Sequence, residues 1–324
     1  MNNRLAAVVV TFNRLAHLQT CVAALLEQDC DAILVVDNGS TDGTREWLSE
    51  QAERHERLDL LPMPRNLGGA GGFEVGFWHA QARYRPEWIV CFDDDAHPQP
   101  GAFRAFLDSD LDGVDAAAAA VYYPDGRICE MNRPSRNPFW HWRLFLRTLL
   151  GGRDGFHIDD QDYQAGHAIP VDATSFVGFF VRGEMLQEVG LPAGELFIYG
   201  DDVLYSLNIS RAGGRIRFLP WVRFTHDCST LKDAAKVHTP LWKAYYTYRN
   251  GLRVYHAAAG WLFWGIAPLK ILQWTLKARF YQAPGTYLRV LGMALGDAIR
   301  RRYDRPHDSV VRLCESGERS LDAA

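Results

Sequence analysis

Three consecutive carboxylates, Asp93-Asp94-Asp95, follow a short apolar run, Trp88 to Phe92. Adjacent carboxylates repel one another and are costly to desolvate, and a cation is the usual remedy. On an extended chain residues 93 and 95 face one side. Two such groups can hold Mg²⁺ or Mn²⁺ while phosphate oxygens complete the shell. A solvated acidic turn is the plainer reading of the triplet alone. Its place after a buried strand favours the metal, because ligands of open α/β sheets collect at the carboxyl ends of strands. A second cluster, Asn66-Leu67-Gly68-Gly69-Ala70-Gly71-Gly72-Phe73, is rich in glycine. It is either a flexible turn or a place where backbone approaches a ligand and offers N–H groups at a helix start. It is not a P-loop, since no Gly-Lys-Ser/Thr follows, and it lacks the acidic residue of a dinucleotide fingerprint. Asp37 closes the run Ala32 to Val36. A carboxylate there can accept hydrogen bonds from a nucleobase imide or a ribose hydroxyl, while Ser40, Thr41 or Asp42 suffices to cap the next helix. Asp201-Asp202 lies between the segment LFIY and a helix. One carboxylate can act as general base on a hydroxyl held close to it, and the other can cap the helix. His226 follows the run RFLPWVRF. Neutral imidazole suits a cation such as Mn²⁺, although a lone histidine is more often structural.

Those residues need elements to position them. Leu5 to Thr11, Ala32 to Val36, Leu58 to Leu61 and Trp88 to Phe92 read as short buried strands. Helices are predicted between them over Asn13 to Leu26, from Thr41 or Asp42 to about Arg54, and from Phe73 to about Tyr84 after a turn from Pro62 to Gly72. Alternating strands and helices imply a mostly parallel sheet flanked by helices. Four polar clusters then fall at one edge: Thr11-Phe12-Asn13, Asp37 to Ser40, Asn66 to Gly72, and Asp93 to Asp95. In the middle of the chain, Asp112 to Tyr123 reads as a helix leading into a strand. Asn132 to Gly155 reads as a loop over the cleft, and Val171 to Arg182 as a bent strand or strand pair. A short helix follows from Gly183 to Val189. A longer one runs from Asp201 to Ala212, then a strand leads to His226. From Pro240 the chain reads helical, broken by Pro268 and Pro284. The expected division is a catalytic domain over 1–240 and a helical C-terminal region over 241–324.

Composition narrows the function. The net charge of −4 gives no reason to expect a nucleic-acid partner. Residues 241–305, however, carry eleven Lys/Arg against two Asp/Glu, on a body of opposite balance. Val254 to Leu269 holds no charged residue, and Trp261, Trp264, Trp274, Lys270, Lys277 and Arg279 lie in or near it. That segment is short for a spanning helix but suits a bilayer interface, so a peripheral contact with an anionic membrane through 254–305 is expected. The competing reading is a helical appendage packed on the core or at an oligomer interface. The six cysteines, Cys21, Cys30, Cys91, Cys129, Cys228 and Cys314, show no C-x-x-C spacing. They fit reduced thiols in the cytoplasm rather than a zinc site, and no signal peptide is apparent.

The order of these pieces resembles the family 2 glycosyltransferases of GT-A fold. The resemblance covers about Ala6 to Asn250 and rests on VVVTFNR, VVDNGSTDGT, NLGGAGGF, FDDDA, IYGDDVLYSLNISRAG and the late His226. It implies that Thr11, Phe12, Asn13 and Asp37 line a nucleoside pocket. Asn66, Gly68 and Gly69 would lie near the nucleotide and donor sugar, with Asp94 beside them. Asp93 and Asp95 match the carboxylates that hold Mn²⁺ or Mg²⁺ and the diphosphate, and His226 a third protein ligand. Asp202 matches the catalytic base, with Asp201 where the family usually has Glu. The reaction implied is inverting transfer from a nucleotide sugar, a UDP-sugar favoured, to a glycan or lipid-linked glycan. NLGGAGGF and the DDD triplet resemble bacterial galactofuranosyltransferases using UDP-galactofuranose. Rhamnosyltransferases using dTDP-rhamnose are similar over much of the same length, and Tyr245-Tyr246-Thr247-Tyr248-Arg249-Asn250 occurs in this broader group. A nucleotidyltransferase would usually carry a basic glycine-rich signature near its N-terminus, which VVVTFNR is not. A catalytically inactive glycan-assembly subunit would have no need of the joined carboxylates and histidine.

Overall fold

The computed structural model describes residues 4–227 and 237–322; Cys228 lies outside them. The elements are β1 (Leu5–Thr11), α1 (Leu15–Leu26), β2 (Ala32–Asp37), α2 (Thr44–Arg54), β3 (Leu58–Pro62), α3 (Gly68–Arg83), β4 (Trp88–Asp93), β5 (Ala96–Pro98), α4 (Ala102–Leu107), β6 (Ala116–Tyr122), α5 (Trp142–Gly151), β7 (Ile169–Val171), β8 (Phe179–Arg182), α6 (Met185–Val189), α7 (Asp201–Arg211), β9 (Ile216–His226), α8 (Trp242–Ala259), α9 (Phe263–Leu276), α10 (Pro284–Ile299) and α11 (His307–Asp322).

One sheet runs β3-β2-β1-β4-β8-β6-β9-β5, with β7 paired to β9. β3, β2, β1 and β4 are parallel, as the alternating pattern predicts. β8 then enters antiparallel between β4 and β6. Every residue of β1 and β2 is buried, because helices cover both faces of the sheet. Alternation along β1 feeds two cores. Leu5, Ala7 and Val9 pack with Leu18, Val22 and Leu25 of α1. Val8 and Val10 pack on the other face with Phe73 and Phe77 of α3 and Tyr205 of α7.

Four expectations change. The alanine run is a strand from Ala116, with no helix before it over 109–115. Alanine favours helices, but here pairing to β8 and β9 decides. The small side chains also admit Gly178, where an added Cβ would sit 2.7 Å from that of Ala119. The loop predicted over 132–155 contains the ten-residue helix α5. Helix α3 begins at Gly68, so the glycines form its first turns rather than a preceding loop. Pro268 lies inside α9 rather than ending it. The interruption comes at Gly260, whose φ of +56° favours glycine, and Pro284 opens α10 at its first turn.

The chain forms two compact units. One comprises residues 1–194 and 201–229 and holds the sheet; the other comprises 195–200 and 230–324. The second unit has its own core of Tyr245, Tyr248, Leu252, Trp274, Tyr287 and Val290. No helix among the described residues is long and apolar enough to cross a membrane.

Candidate active site

Strand register brings the polar clusters together. β1 lies between β2 and β4, with Thr11 opposite Asp37 and Val10 opposite Asp93. The buried Thr11 Oγ1 donates to Asp94 Oδ2 at 2.7 Å. Arg14, just past β1, pairs with Asp95 and lies 3.6 Å from Asp94 Oδ1. Asn13 takes a left-handed conformation, φ +53°, which Asn tolerates. Its Oδ1 accepts from Thr41 N at 2.7 Å, and its own N–H donates to Ser40 Oγ at 3.0 Å. The first two strand ends are thereby tied to each other, and the Phe12 ring is left exposed at their edge. Asp37 is fully buried and accepts from Arg45 Nε and Ser40 N, each at 2.9 Å.

The glycine-rich segment does two jobs at different positions. Asn66 Oδ1 accepts from Gly68 N at 2.7 Å, and Asn38 Nδ2 donates to the Gly68 carbonyl at 2.8 Å, which pins the start of α3. Gly72 and Gly76 face the sheet. A Cβ on Gly72 would lie 2.5 Å from Val10 Cγ1, and one on Gly76 2.6 Å from Val8 Cγ1. Nothing lies within 4 Å of a Cβ built on Gly69, so its face of the helix start is open.

Asp95 Oδ1 lies 3.1 Å from His226 Nε2, and His226 Nδ1 lies 2.7 Å from Asn132 Oδ1. Both partners are acceptors, so the network holds a doubly protonated ring. Burial opposes that charge, yet the hydrogen bond to Asp95 leads the groups that push His226 up to about 10. Burial also works against ionised Asp95, but His226 and Arg14 hold its carboxyl below the ordinary range. Asp93 has neither helper in contact. Burial, then Asp95 and Asp94, push it up to about 7. Burial likewise raises Asp94 to about 6 against the hydrogen bond from Thr11.

Asp201 and Asp202 open α7, after Gly200 at φ +84°. Burial, then the Asp202 and Asp93 charges, raise Asp201 well above the usual carboxylate range. Asp202 is half-buried, and burial raises it to about 6 although its Oδ1 accepts from Val203 N at 2.7 Å. Of the pair, Asp201 is the more strongly raised, and Asp202 the one that gives up its proton more readily.

Asp95 and His226 meet directly, whereas Asp93, Asp95 and His226 do not form a ready three-ligand cation site among the described residues. The donor set of carboxylates and an imidazole does suit Mn²⁺ or Mg²⁺, and the crowded Asp93 is the group a cation would most relieve. Ligation by His226 requires its Nε2 to give up the proton now shared with Asp95.

Sequence reasoning missed Arg14, Asn38 and Asn132. Three adjacent carboxylates ask for a counter-charge, and an arginine at the end of the neighbouring strand is one available signal. Asn132, which accepts from Cys129 Sγ at 3.0 Å and donates to Ser175 Oγ at 2.8 Å, has no counterpart signal. A cavity of about 580 Å³ lies in the second unit, lined by Glu195, Arg300, Arg301, Arg302, Tyr303 and Asp304. None of the predicted site residues lines it.

The family model described as "Glycosyl transferase family 2" matches residues 6–168. The chain belongs to this family. It is 30% identical over 259 residues to galactofuranosyltransferase GlfT1 of Mycolicibacterium smegmatis, covering 75% of this chain and 80% of that protein. It is 26% identical over 304 residues to N-acetylglucosaminyl-diphospho-decaprenol L-rhamnosyltransferase of Mycobacterium tuberculosis, covering 86% and 90%. Among solved structures, the mannosyltransferase PcManGT of Pyrobaculum calidifontis, in complex with GDP-Man and Mn²⁺, aligns with a TM-score of 0.52 at 17% identity, covering 94% and 89%. The fold is therefore GT-A, and the protein is a family 2 glycosyltransferase.

Proposed function

We propose that this glycosyltransferase transfers galactofuranose from UDP-galactofuranose to a glycan or lipid-linked glycan acceptor, with inversion, in bacterial surface polysaccharide synthesis. The observation that carries the reading is the meeting of Asp94 and Asp95 with Thr11, Arg14 and His226 at the carboxyl ends of β1 and β4. The resemblance to the mycobacterial galactofuranosyltransferase supports the choice of sugar. Residues 1–240 are read as the catalytic domain and 241–324 as its C-terminal region.

In this reading Thr11, Phe12, Asn13 and Asp37 border the nucleoside, and Asn66, Gly68 and Gly69 border the nucleotide and donor sugar. Asp94, held by Thr11, fixes the strand ends on which the diphosphate rests. Asp93, Asp95 and His226 would hold Mn²⁺ or Mg²⁺, as the manganese in the complex of the structural neighbour encourages. Bound there, the cation would offset charge developing on the leaving diphosphate. Asp202 accepts the proton of the attacking acceptor hydroxyl. Holding the acceptor in line with the anomeric carbon supplies much of the remaining rate.

Two features favour an acceptor at a membrane. The name of the mycobacterial rhamnosyltransferase describes a decaprenol-linked substrate. In the second unit, Trp261, Trp264, Leu269, Leu272 and Leu276 are exposed along α9 and the turn before it, beside Lys270, Lys277 and Arg279. That pattern supports peripheral contact with an anionic inner-membrane surface.

A dTDP-rhamnose donor is the second reading, favoured by the longer match to the rhamnosyltransferase. A panel of UDP-galactofuranose, UDP-galactopyranose, dTDP-rhamnose and GDP-mannose decides, each with Mn²⁺. The expected result is a rise in melting temperature and slow nucleotide release with UDP-galactofuranose alone. The same response confined to dTDP-rhamnose would replace the sugar. No response from any donor would point to the inactive assembly subunit.

A further inference from the structure

Helix α5 is ten residues long, and none of its side chains is buried. Leu144, Phe145 and Thr148 are half-buried on one side. On the other, Trp142 is 69% exposed, Leu146 50%, Leu149 65% and Leu150 93%. At helical spacing these four residues share one face, so the helix turns an apolar stripe outward. A single exposed leucine needs no explanation, but a contiguous apolar face does.

The segment that carries this face is itself basic, although carboxylates from elsewhere in the chain reach it. From residue 131 to 152 the sequence contains Arg133, Arg136, Arg143 and Arg147 and no Asp or Glu. Arg136, His141, Arg143, Leu144 and Arg147 line a shallow cavity of about 320 Å³ beside the helix. Some of this charge is already engaged. Arg133 pairs with Glu130 at 2.6 Å and Asp160 at 2.7 Å, Arg147 pairs with the exposed Asp159 at 2.9 Å, His141 lies 3.7 Å from Asp172, and Arg136 donates to the Pro170 carbonyl. Arg143 has no carboxylate partner among the described residues, and its guanidinium sits over the Trp142 ring at 5.3 Å.

We propose that α5 is a membrane-docking helix: Trp142, Leu146, Leu149 and Leu150 enter the headgroup region of an anionic phospholipid bilayer, and lipid phosphates meet Arg143 and the basic cavity beside it. Exposed apolar side chains flanked by arginines fit a surface that is anionic at its phosphates and apolar just beneath them. The contact lies in the sheet-bearing unit and is separate from the one read for α9. It extends the reading of a membrane-borne acceptor but needs neither acceptor nor donor to be measured.

The test is co-flotation of the full-length protein with vesicles of phosphatidylcholine containing about 30% phosphatidylglycerol, against phosphatidylcholine alone. Wild type is expected to float with the anionic vesicles. Leu149→Glu/Leu150→Glu and Arg143→Glu are each expected to weaken binding by about tenfold or more, with unchanged melting temperature and donor-driven nucleotide release. A polarity-sensitive dye attached at Leu150→Cys should shift to the blue on anionic vesicles only. Wild-type binding in these variants, or a dye that stays in water, would overturn the proposal and leave any vesicle binding to α9. Protection by soluble inorganic diphosphate without vesicle binding would also overturn it, making the cavity an anion site. Failure of vesicle binding leaves the donor assays untouched, so it cannot be confused with failure of the proposed transfer.

Discussion

Asp201 and Asp202 differ by one position, yet burial and neighbouring charge raise Asp201 further than Asp202. Asp201 is buried and faces the Asp202 and Asp93 charges, which raise it well above the usual carboxylate range. Burial raises Asp202 less, to about 6. The base proposed here must be ionised to act, so if Asp202 fills that role turnover should rise with pH through about 6 and level off above it, measured as kcat at saturating donor. Asp202→Asn should abolish that limb and lower turnover by about two to four decades while donor still raises the melting temperature. The same shift sets a stability prediction. The folded value lies above the ordinary 3.8, so the folded state holds the proton more tightly than the unfolded chain. Wild type should therefore lose stability through this group as pH rises from about 4 to about 6. Asp202→Asn should lose less over that interval in chemical denaturation. A variant with near-normal transfer would remove Asp202 from the role of base. At this scale the carboxylates and His226 were legible because their types are uncommon after buried strands. Arg14 and Asn132 were not, since an arginine at a helix start and an asparagine in a loop look ordinary until folding sets them beside Asp95 and His226.

At the scale of elements, period and burial made the first ninety-odd residues readable. β1 and β2 are continuous apolar runs because both faces are covered, and their edges fall within a residue of those predicted. Alanines 116–120 misled because propensity is a local preference, whereas two strand pairings determine the outcome. The glycines of α3 misled in a more instructive way. Glycine spacing alone does not distinguish approach to a ligand from approach to a sheet. The structure separates them, and substitution will report the difference. Gly72→Ala and Gly76→Ala each push a methyl into the valines of β1 and should destabilise by about 1–3 kcal/mol in urea titrations. Gly69→Ala meets nothing within 4 Å. It should hold or gain about 0.5–1 kcal/mol by the usual helix preference. If the open start of α3 borders the donor, Gly69→Ala should nevertheless raise the KM for donor. An unchanged KM would place the donor elsewhere, and a stability loss equal to that of Gly72→Ala would contradict the packing described.

Across the whole molecule the notable feature is how the chain is threaded. It leaves the sheet-bearing unit after Gly194, spends 195–200 in the helical unit, and returns directly into Asp201-Asp202. Within the helical unit that six-residue passage is held from α8. Asn250 Nδ2 donates to the carbonyls of Leu196, Ile198 and Tyr199 at 3.0, 2.8 and 2.9 Å. Arg249, fully buried, donates to the Leu196 carbonyl at 2.8 Å and to Asn250 Oδ1 at 2.9 Å. Phe197 and Tyr199 adopt φ of +68° and +70°, values that non-glycine residues hold only when surroundings enforce them. Helix periodicity found α8, and the Arg249-Asn250 pair was noticed only as part of a family resemblance. Its duty depends on contacts fifty residues back in sequence, which no local pattern encodes. Removing the amide strands buried carbonyls, so Asn250→Ala should cost about 2–4 kcal/mol of stability. It should also free the segment that leads into α7, and with it the aim of Asp202. Turnover is then expected to fall by about tenfold or more below the melting transition, with donor-induced thermal stabilisation preserved, because the donor contacts proposed above lie on β1, β2, β4 and α3. A merely structural asparagine would lower the melting temperature and leave kcat alone at 20 °C; that result would separate the helical unit from catalysis.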